Sequence, residues 1–173
     1  GLDGAVLTTG YAGNATCAPS RAALITGRYP TRYGFEFTPA PAQMARVVAS
    51  QKRKDDMPWV FNRQAAAKSP PLDDMGVPAS EITLAELLSA QGYHTIHLGK
   101  WHLGGANGMR PEQQGFNESL GFMAGGQMYL PGRAPNVVNA KQDFDPLDKF
   151  LWANLPFSVQ YNGGQPFRPA GYM

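Results

Sequence analysis

Cys17 is the only cysteine of the chain, and it opens the stretch Cys17-Ala18-Pro19-Ser20-Arg21-Ala22-Ala23-Leu24-Ile25-Thr26-Gly27. A thiol at or just before a helix start feels the positive end of the helix dipole, which lowers its pKa and favours the thiolate. The same terminus offers free backbone N–H groups to an oxyanion. Arg21, one turn later, can return to the face that Cys17 occupies. Its planar fork suits the oxygens of sulfate or phosphate. A second dense stretch, Gly92 to Gly104, carries Lys100 and His102 in a glycine-bounded turn. The two stretches predict a reactive thiol at a helix start and a basic pocket for an oxyanion.

Each residue also has a plainer reading. A lone cysteine is commonly a small buried hydrophobe. Arg21 could be a solvated helix charge, Lys100 a solvated loop lysine, and His102 a structural histidine bonded to backbone. A cysteine hydrolase would need a histidine base near the thiol. His94, His97 and His102 qualify by type, but no cysteine-protease pattern surrounds Cys17.

The elements that must position these residues can be read locally. Pro19 to Thr26 reads as a short helix: Pro19 suits a first helical turn, where its missing N–H costs nothing, and Gly27 suits a left-handed stop. Ala5-Val6-Leu7 reads as a strand. Residues 38 to 80 are broken by Pro39, Pro41, Pro58, Pro70, Pro71 and Pro78, with a short helix over Gln43 to Ser50. Thr83-Leu84-Ala85-Glu86 is a capping box, and Leu84, Leu87 and Leu88 share one face of the helix it starts. Gly92 ends that helix, Tyr93 to Leu98 follows as a strand, and Gly99 to Gly105 forms a loop at its carboxyl end. Helix, strand and polar loop are the rhythm of an α/β sheet, whose ligands gather beyond the carboxyl ends of strands. Further on, Asp148 to Leu155 reads as a helix and Phe157 to Tyr161 as a strand.

Composition bounds the classes. With 173 residues, 43% of them hydrophobic, the chain can bury a core. A net charge of +2, with the one basic cluster Lys52-Arg53-Lys54 followed at once by Asp55-Asp56, argues against nucleic acid or a membrane surface as partner. No apolar stretch approaches the ~20 residues of a membrane span. A single cysteine excludes an intrachain disulfide and a cysteine-based zinc site. The chain starts at Gly1 without a leader, and both ends read as cut from a longer protein.

Cys17-Ala18-Pro19-Ser20-Arg21 followed by Thr26-Gly27 resembles the first hallmark of the sulfatases, C-x-P-S-R-x-x-x-x-T-G. Gly92-Tyr93-x-Thr95-x-x-x-Gly99-Lys100-x-His102 resembles the second. Gly27-Arg28-Tyr29-Pro30 and Gly115-Phe116 to Gly121-Phe122 are similar to family text as well. The resemblance runs from the start of the chain to about Gly126. It implies an α/β, alkaline-phosphatase-like fold, present here incomplete as a sheet with flanking helices. Residues 1–173 would be part of a single sulfatase catalytic domain, truncated at both ends.

The resemblance also implies the chemistry. Cys17 would be oxidised by a formylglycine-generating enzyme to formylglycine, with Pro19 and Arg21 part of the pattern that enzyme reads. The hydrated aldehyde would attack the sulfur of a sulfate ester beside a divalent cation, calcium. The catalytic residues would be Cys17, Arg21, Lys100 and His102, with Cys17, as formylglycine, also a metal ligand. The remaining ligands would lie outside this chain, because the family's paired aspartates precede the cysteine motif and its later ligands follow. Asp3 stands alone, and Asp55-Asp56 and Asp73-Asp74 read as solvated loop pairs. The substrate would be a sulfate-ester small molecule or a sulfated glycan, and the parent protein periplasmic, secreted or lysosomal. Two rivals stand beside this reading: a phosphonate or phosphate ester hydrolase of the same fold, and a non-catalytic fragment lacking the metal site.

Overall fold

The structure, a computed structural model, describes residues 3–50, 60–131, 134–135 and 155–172. Helix α1 spans Cys17–Thr26, α2 Ala42–Ala49, α3 Arg63–Lys68 and α4 Leu84–Ala90. Three strands, β1 (Ile96–Lys100), β2 (Glu118–Phe122) and β3 (Gln160–Tyr161), form one sheet in the order β1-β2-β3. β1 and β2 run parallel, with Gly99 opposite Gly121 and Lys100 opposite Phe122. β3 is antiparallel to β2.

The glycine pair sets how closely the parallel strands meet. A methyl group on Gly121 would run into the backbone of Gly99, so no larger residue fits at that register position. The pair carries Lys100 to the carboxyl end of β1, where the chain leaves the sheet. Beyond it, Trp101 N–H donates to the Phe122 carbonyl at 2.9 Å, and His102 N–H to the Met123 carbonyl at 3.1 Å. The loop after β1 is therefore held along the end of β2.

Helix α1 follows the expected logic. Pro19 lies in its first turn, and Gly27 closes it in the left-handed region at φ 64°. Ala18, Pro19 and Ala22 are its buried residues. Their small side chains let α1 approach a core of Phe35, Val77, Trp101 and Leu103. Trp101 is 1% exposed, and its indole N–H is shared between the carbonyls of Met109 (2.9 Å) and Gly104 (3.1 Å). A buried indole without such partners would carry a desolvation cost.

Helix α4 starts with the predicted capping box: Glu86 N–H donates to Thr83 Oγ1 at 3.1 Å, and Thr83 N–H donates to Glu86 Oε2 at 2.7 Å. Thr83 Oγ1 also donates to the Gln114 carbonyl, which pins the helix start to the chain entering β2. The leucines do not enter the core. Leu84 and Leu87 are more than half exposed, and Ala85 is the buried residue of the helix.

Elsewhere the expectations shift or fail. Ala5 to Leu7 is not a strand: Val6 and Leu7 are exposed, and an apolar triplet without a neighbour to pair with has no ladder to join. β1 starts at Ile96 rather than Tyr93. Before it, Thr95 is tied by its hydroxyl to the Gly115 carbonyl (2.7 Å) and by its N–H to Asn117 Oδ1 (2.9 Å). The strand read over Phe157 to Tyr161 is confined to Gln160–Tyr161, with Val159 bridging Phe167. The helix expected over Asp148 to Leu155 lies, but for Leu155, outside the described residues, as do Lys52-Arg53-Lys54 and Asp55-Asp56.

Candidate active site

Folding brings the two motifs together. Cys17, the first residue of α1, is exposed, and its Sγ lies 3.5 Å from His102 Nδ1, across 85 residues of sequence. Thr38 Oγ1 stands 4.0 Å from the same sulfur. Desolvation of Sγ pushes the thiol up. The positive charge of Lys100, with hydrogen bonds from Thr38, the Ala18 backbone and Lys100, outweighs it and holds the thiol below its ordinary value. Lys100 is thus the cation that faces Cys17.

Arg21 does something different from a free anion-binding fork. Its Nε donates to the Trp101 carbonyl at 2.9 Å and its Nη2 to the Lys100 carbonyl. The half-buried guanidinium ties α1 to the turn that carries Lys100 and His102. Two parallel donors on two successive carbonyls fix orientation as well as distance. Burial lowers the Arg21 pKa, but a guanidinium stays charged throughout the physiological range.

His102 is built into its position. It is 8% exposed and adopts φ 60°, a left-handed conformation that a side-chain-bearing residue takes only when its surroundings impose it. Its backbone bond to Met123 supplies part of that constraint. Burial, then the charges of Lys100 and Arg21, push its imidazole down to about 4, so it is neutral at neutral pH. A neutral imidazole can accept a proton at one nitrogen while the other donates.

The other predicted histidines have other places. His97 Nε2 lies 3.2 Å from the Lys100 carbonyl, and its ring packs edge-on against Trp101 and Phe116 with centroids 5.1 and 5.5 Å away. It supports the turn from the core side. His94 Nε2 pairs with Glu118 Oε1 at 2.8 Å on the surface. Asp73 and Asp74 are exposed in a 3-10 turn, and the Asp73 carbonyl accepts the N–H groups of Gly105 and Ala106. Among the described residues no three histidine, cysteine, aspartate or glutamate side chains cluster to hold a metal ion.

Two contributors carried no signal in sequence. Thr38 lies in the proline-rich stretch, and only folding brings it to the sulfur. Gly125 lies where the resemblance fades, and a side chain there would meet the His102 ring.

Comparison with known proteins agrees with this arrangement of motifs. The sulfatase family model matches residues 2–151. N-acetylgalactosamine-6-sulfatase of Rattus norvegicus is 37% identical over 155 residues, which is 89% of this chain and 22% of that protein. Steryl-sulfatase of Mus musculus is 36% identical over 125 residues, 69% of this chain and 16% of that protein. The solved structure of Ps i-CgsB in complex with k-i-k-neocarrahexaose matches with a TM-score of 0.56 and 26% identity, over 94% of this chain and 29% of that one. The chain spans less than a third of the length of these relatives. The two hallmark motifs, their convergence on one site and the match over residues 2–151 lead to one conclusion: the chain belongs to the sulfatase family.

Proposed function

We propose that residues 1–173 form part of a single catalytic domain and contribute the nucleophile and the sulfate-binding side of a sulfuric ester hydrolase. The observation that carries this reading is the meeting of Cys17, Lys100 and His102 in one site, with Arg21 clamping the turn that holds the last two.

Cys17 is the residue that formylglycine would replace, and that group supplies a hydrated aldehyde hydroxyl as nucleophile. The exposure of Cys17 leaves room for a sulfate ester to approach position 17 from solvent. The Lys100 ammonium, compact and directed at position 17, neutralises sulfate oxygens brought against it. His102, neutral and with Nδ1 toward position 17, accepts or returns a proton there. Arg21 holds α1 and the Lys100–His102 turn at fixed separation.

The family implies a divalent cation. The groups around Cys17 do not fit calcium by themselves: two cations, an imidazole and one hydroxyl offer no carboxylate oxygens. Carboxylate ligands for such an ion would have to come from other segments of the protein. The neocarrahexaose complex of Ps i-CgsB supports a glycan as substrate, and the steryl-sulfatase match supports a small sulfate ester beside it. An exported or lysosomal parent protein fits the same family membership. No described helix is long and apolar enough to cross a membrane.

The test is hydrolysis of aryl sulfate, sulfated glycan and aryl phosphate esters by the full-length protein and its Cys17→Ala variant. Sulfate-ester turnover that vanishes with Cys17 supports the proposal. Turnover of phosphate esters alone would transfer the site to the rival reading.

A further inference from the structure

Gly125 lies outside the hallmark motifs, yet it comes close against the His102 ring. The three atoms nearest to where a Gly125 Cβ would stand all belong to the His102 ring: Cε1 at 2.6 Å, Nε2 at 2.7 Å and Nδ1 at 3.3 Å. Carbon atoms at van der Waals contact stand about 3.5–4.0 Å apart. The ring therefore occupies the volume that any side chain at position 125 would claim.

The glycine is not needed for its backbone angles. Gly125 lies outside the left-handed region, unlike Gly99 or Gly104, so its φ does not itself demand a glycine. Its outer side faces solvent. The obstacle to a larger residue is the imidazole. The same short segment also holds His102 from below, through the bond from His102 N–H to the Met123 carbonyl. Residues 123 to 125 thus grip His102 at its backbone and cover its ring. The same ring presents Nδ1 to Cys17 at 3.5 Å.

We propose that Gly125 is a positioning residue of the site: its missing side chain is the space in which the His102 imidazole stands, and it thereby sets the contact between His102 and Cys17. The inference rests on the reading that His102 and Cys17 act in one site. It does not require that they hydrolyse sulfate esters. A methyl group at 125 displaces the ring, because the ring can turn about its own torsions at less cost than the Met123–Gly125 backbone can move.

The experiment is a double-mutant cycle on the whole chain with Cys17 kept as the free thiol, as verified by intact mass. Iodoacetamide alkylation of Cys17 is timed at one neutral pH in the parent chain, Gly125→Ala, His102→Ala and the double variant. The His102 Cε1–H resonance is recorded in the parent and in Gly125→Ala. Gly125→Ala is expected to shift that resonance and to change the alkylation rate by about threefold or more, within the range of couplings between contacting residues. In the His102→Ala background the same substitution should change the rate little. Gly10→Ala, where a Cβ meets open space, should change nothing.

An equal rate change in both backgrounds, or none in either, overturns the proposal. If Gly125→Ala fails to fold, the double variant decides: folding restored by removing the imidazole supports the seat, and failure of both overturns it. Loss of sulfate-ester turnover as the function would leave the cycle intact. A null cycle in a protein that still turns over sulfate esters would remove only the role of Gly125.

Discussion

The two faces of α1 have similar neighbours and opposite fates. One face, with Ala18 and Ala22, is sealed against Trp101 and Leu103, and from it Arg21 reaches the carbonyls of Lys100 and Trp101. The other carries Leu24, 81% exposed, toward Leu84 and Leu88 of α4 and Ile96 of β1, around an open groove of about 400 Å³ that Arg21, Trp101 and Leu103 also line. Apolar content does not separate them. The closed face has small residues that permit contact and polar bonds that fix its geometry, whereas the open face has large residues around an unfilled volume. The closed face holds the turn that carries Lys100 and His102, and a site that does chemistry needs its groups held to fractions of an ångström.

The sharpest way to break the closed face is Trp101→Ala. It removes the largest fully buried side chain among the described residues and leaves two carbonyls without their indole donor. A loss of about 3–5 kcal/mol is expected, comparable to the whole stability of many small domains. Urea denaturation would read it as loss of the cooperative transition. Arg21→Ala comes next. It takes the Arg21 donor from the Trp101 carbonyl, leaves the Lys100 carbonyl with His97, costs about 1–3 kcal/mol and frees the turn. Arg21→Lys should rescue little, since a single ammonium cannot reproduce a two-pronged grip on successive carbonyls. Both variants are checked by denaturation together with Cys17 alkylation.

A pH titration sharpens the comparison from the core side. Burial, then the Arg21 charge, hold the His97 imidazole below its ordinary value, against the opposing bond to the Lys100 carbonyl and the Glu112 charge. Between the folded and the ordinary value the unfolded chain binds more protons than the folded one, so stability falls as pH drops through that window, below about 6.5. His97→Phe keeps the packing on Trp101 and Phe116 and should shrink this acid limb in melts run from pH 7 downward, leaving the part that His102 contributes. The smallest effect is expected on the open face, where Leu24→Ala should stay within about 0.5 kcal/mol of the parent chain in the same urea series.

Local signals were legible where the physics is local. The first-turn proline and closing glycine of α1, and the hydroxyl–glutamate pair that starts α4, depend on neighbours a few residues apart. Strand ends depend on partners, so Ala5 to Leu7 read as a strand and is not one, and β1 begins later because Thr95 is engaged by Gly115 and Asn117. The four candidate residues could be picked out because each sits in a motif of fixed spacing. Thr38 and Gly125 could not, because a hydroxyl in a proline-rich stretch and one glycine among several acquire meaning only from what folding sets beside them. The clamp role of Arg21 was also hidden: its residue type suggests anion binding, and the structure engages two of its nitrogens with backbone.

The most direct test of the account is the chemical state of position 17 after the chain is produced together with a formylglycine-generating enzyme. The account predicts that the peptide carrying Cys17 is captured by a hydrazide as an aldehyde and escapes iodoacetamide. A peptide that reacts with iodoacetamide alone, from a preparation in which a known sulfatase is converted, would contradict it.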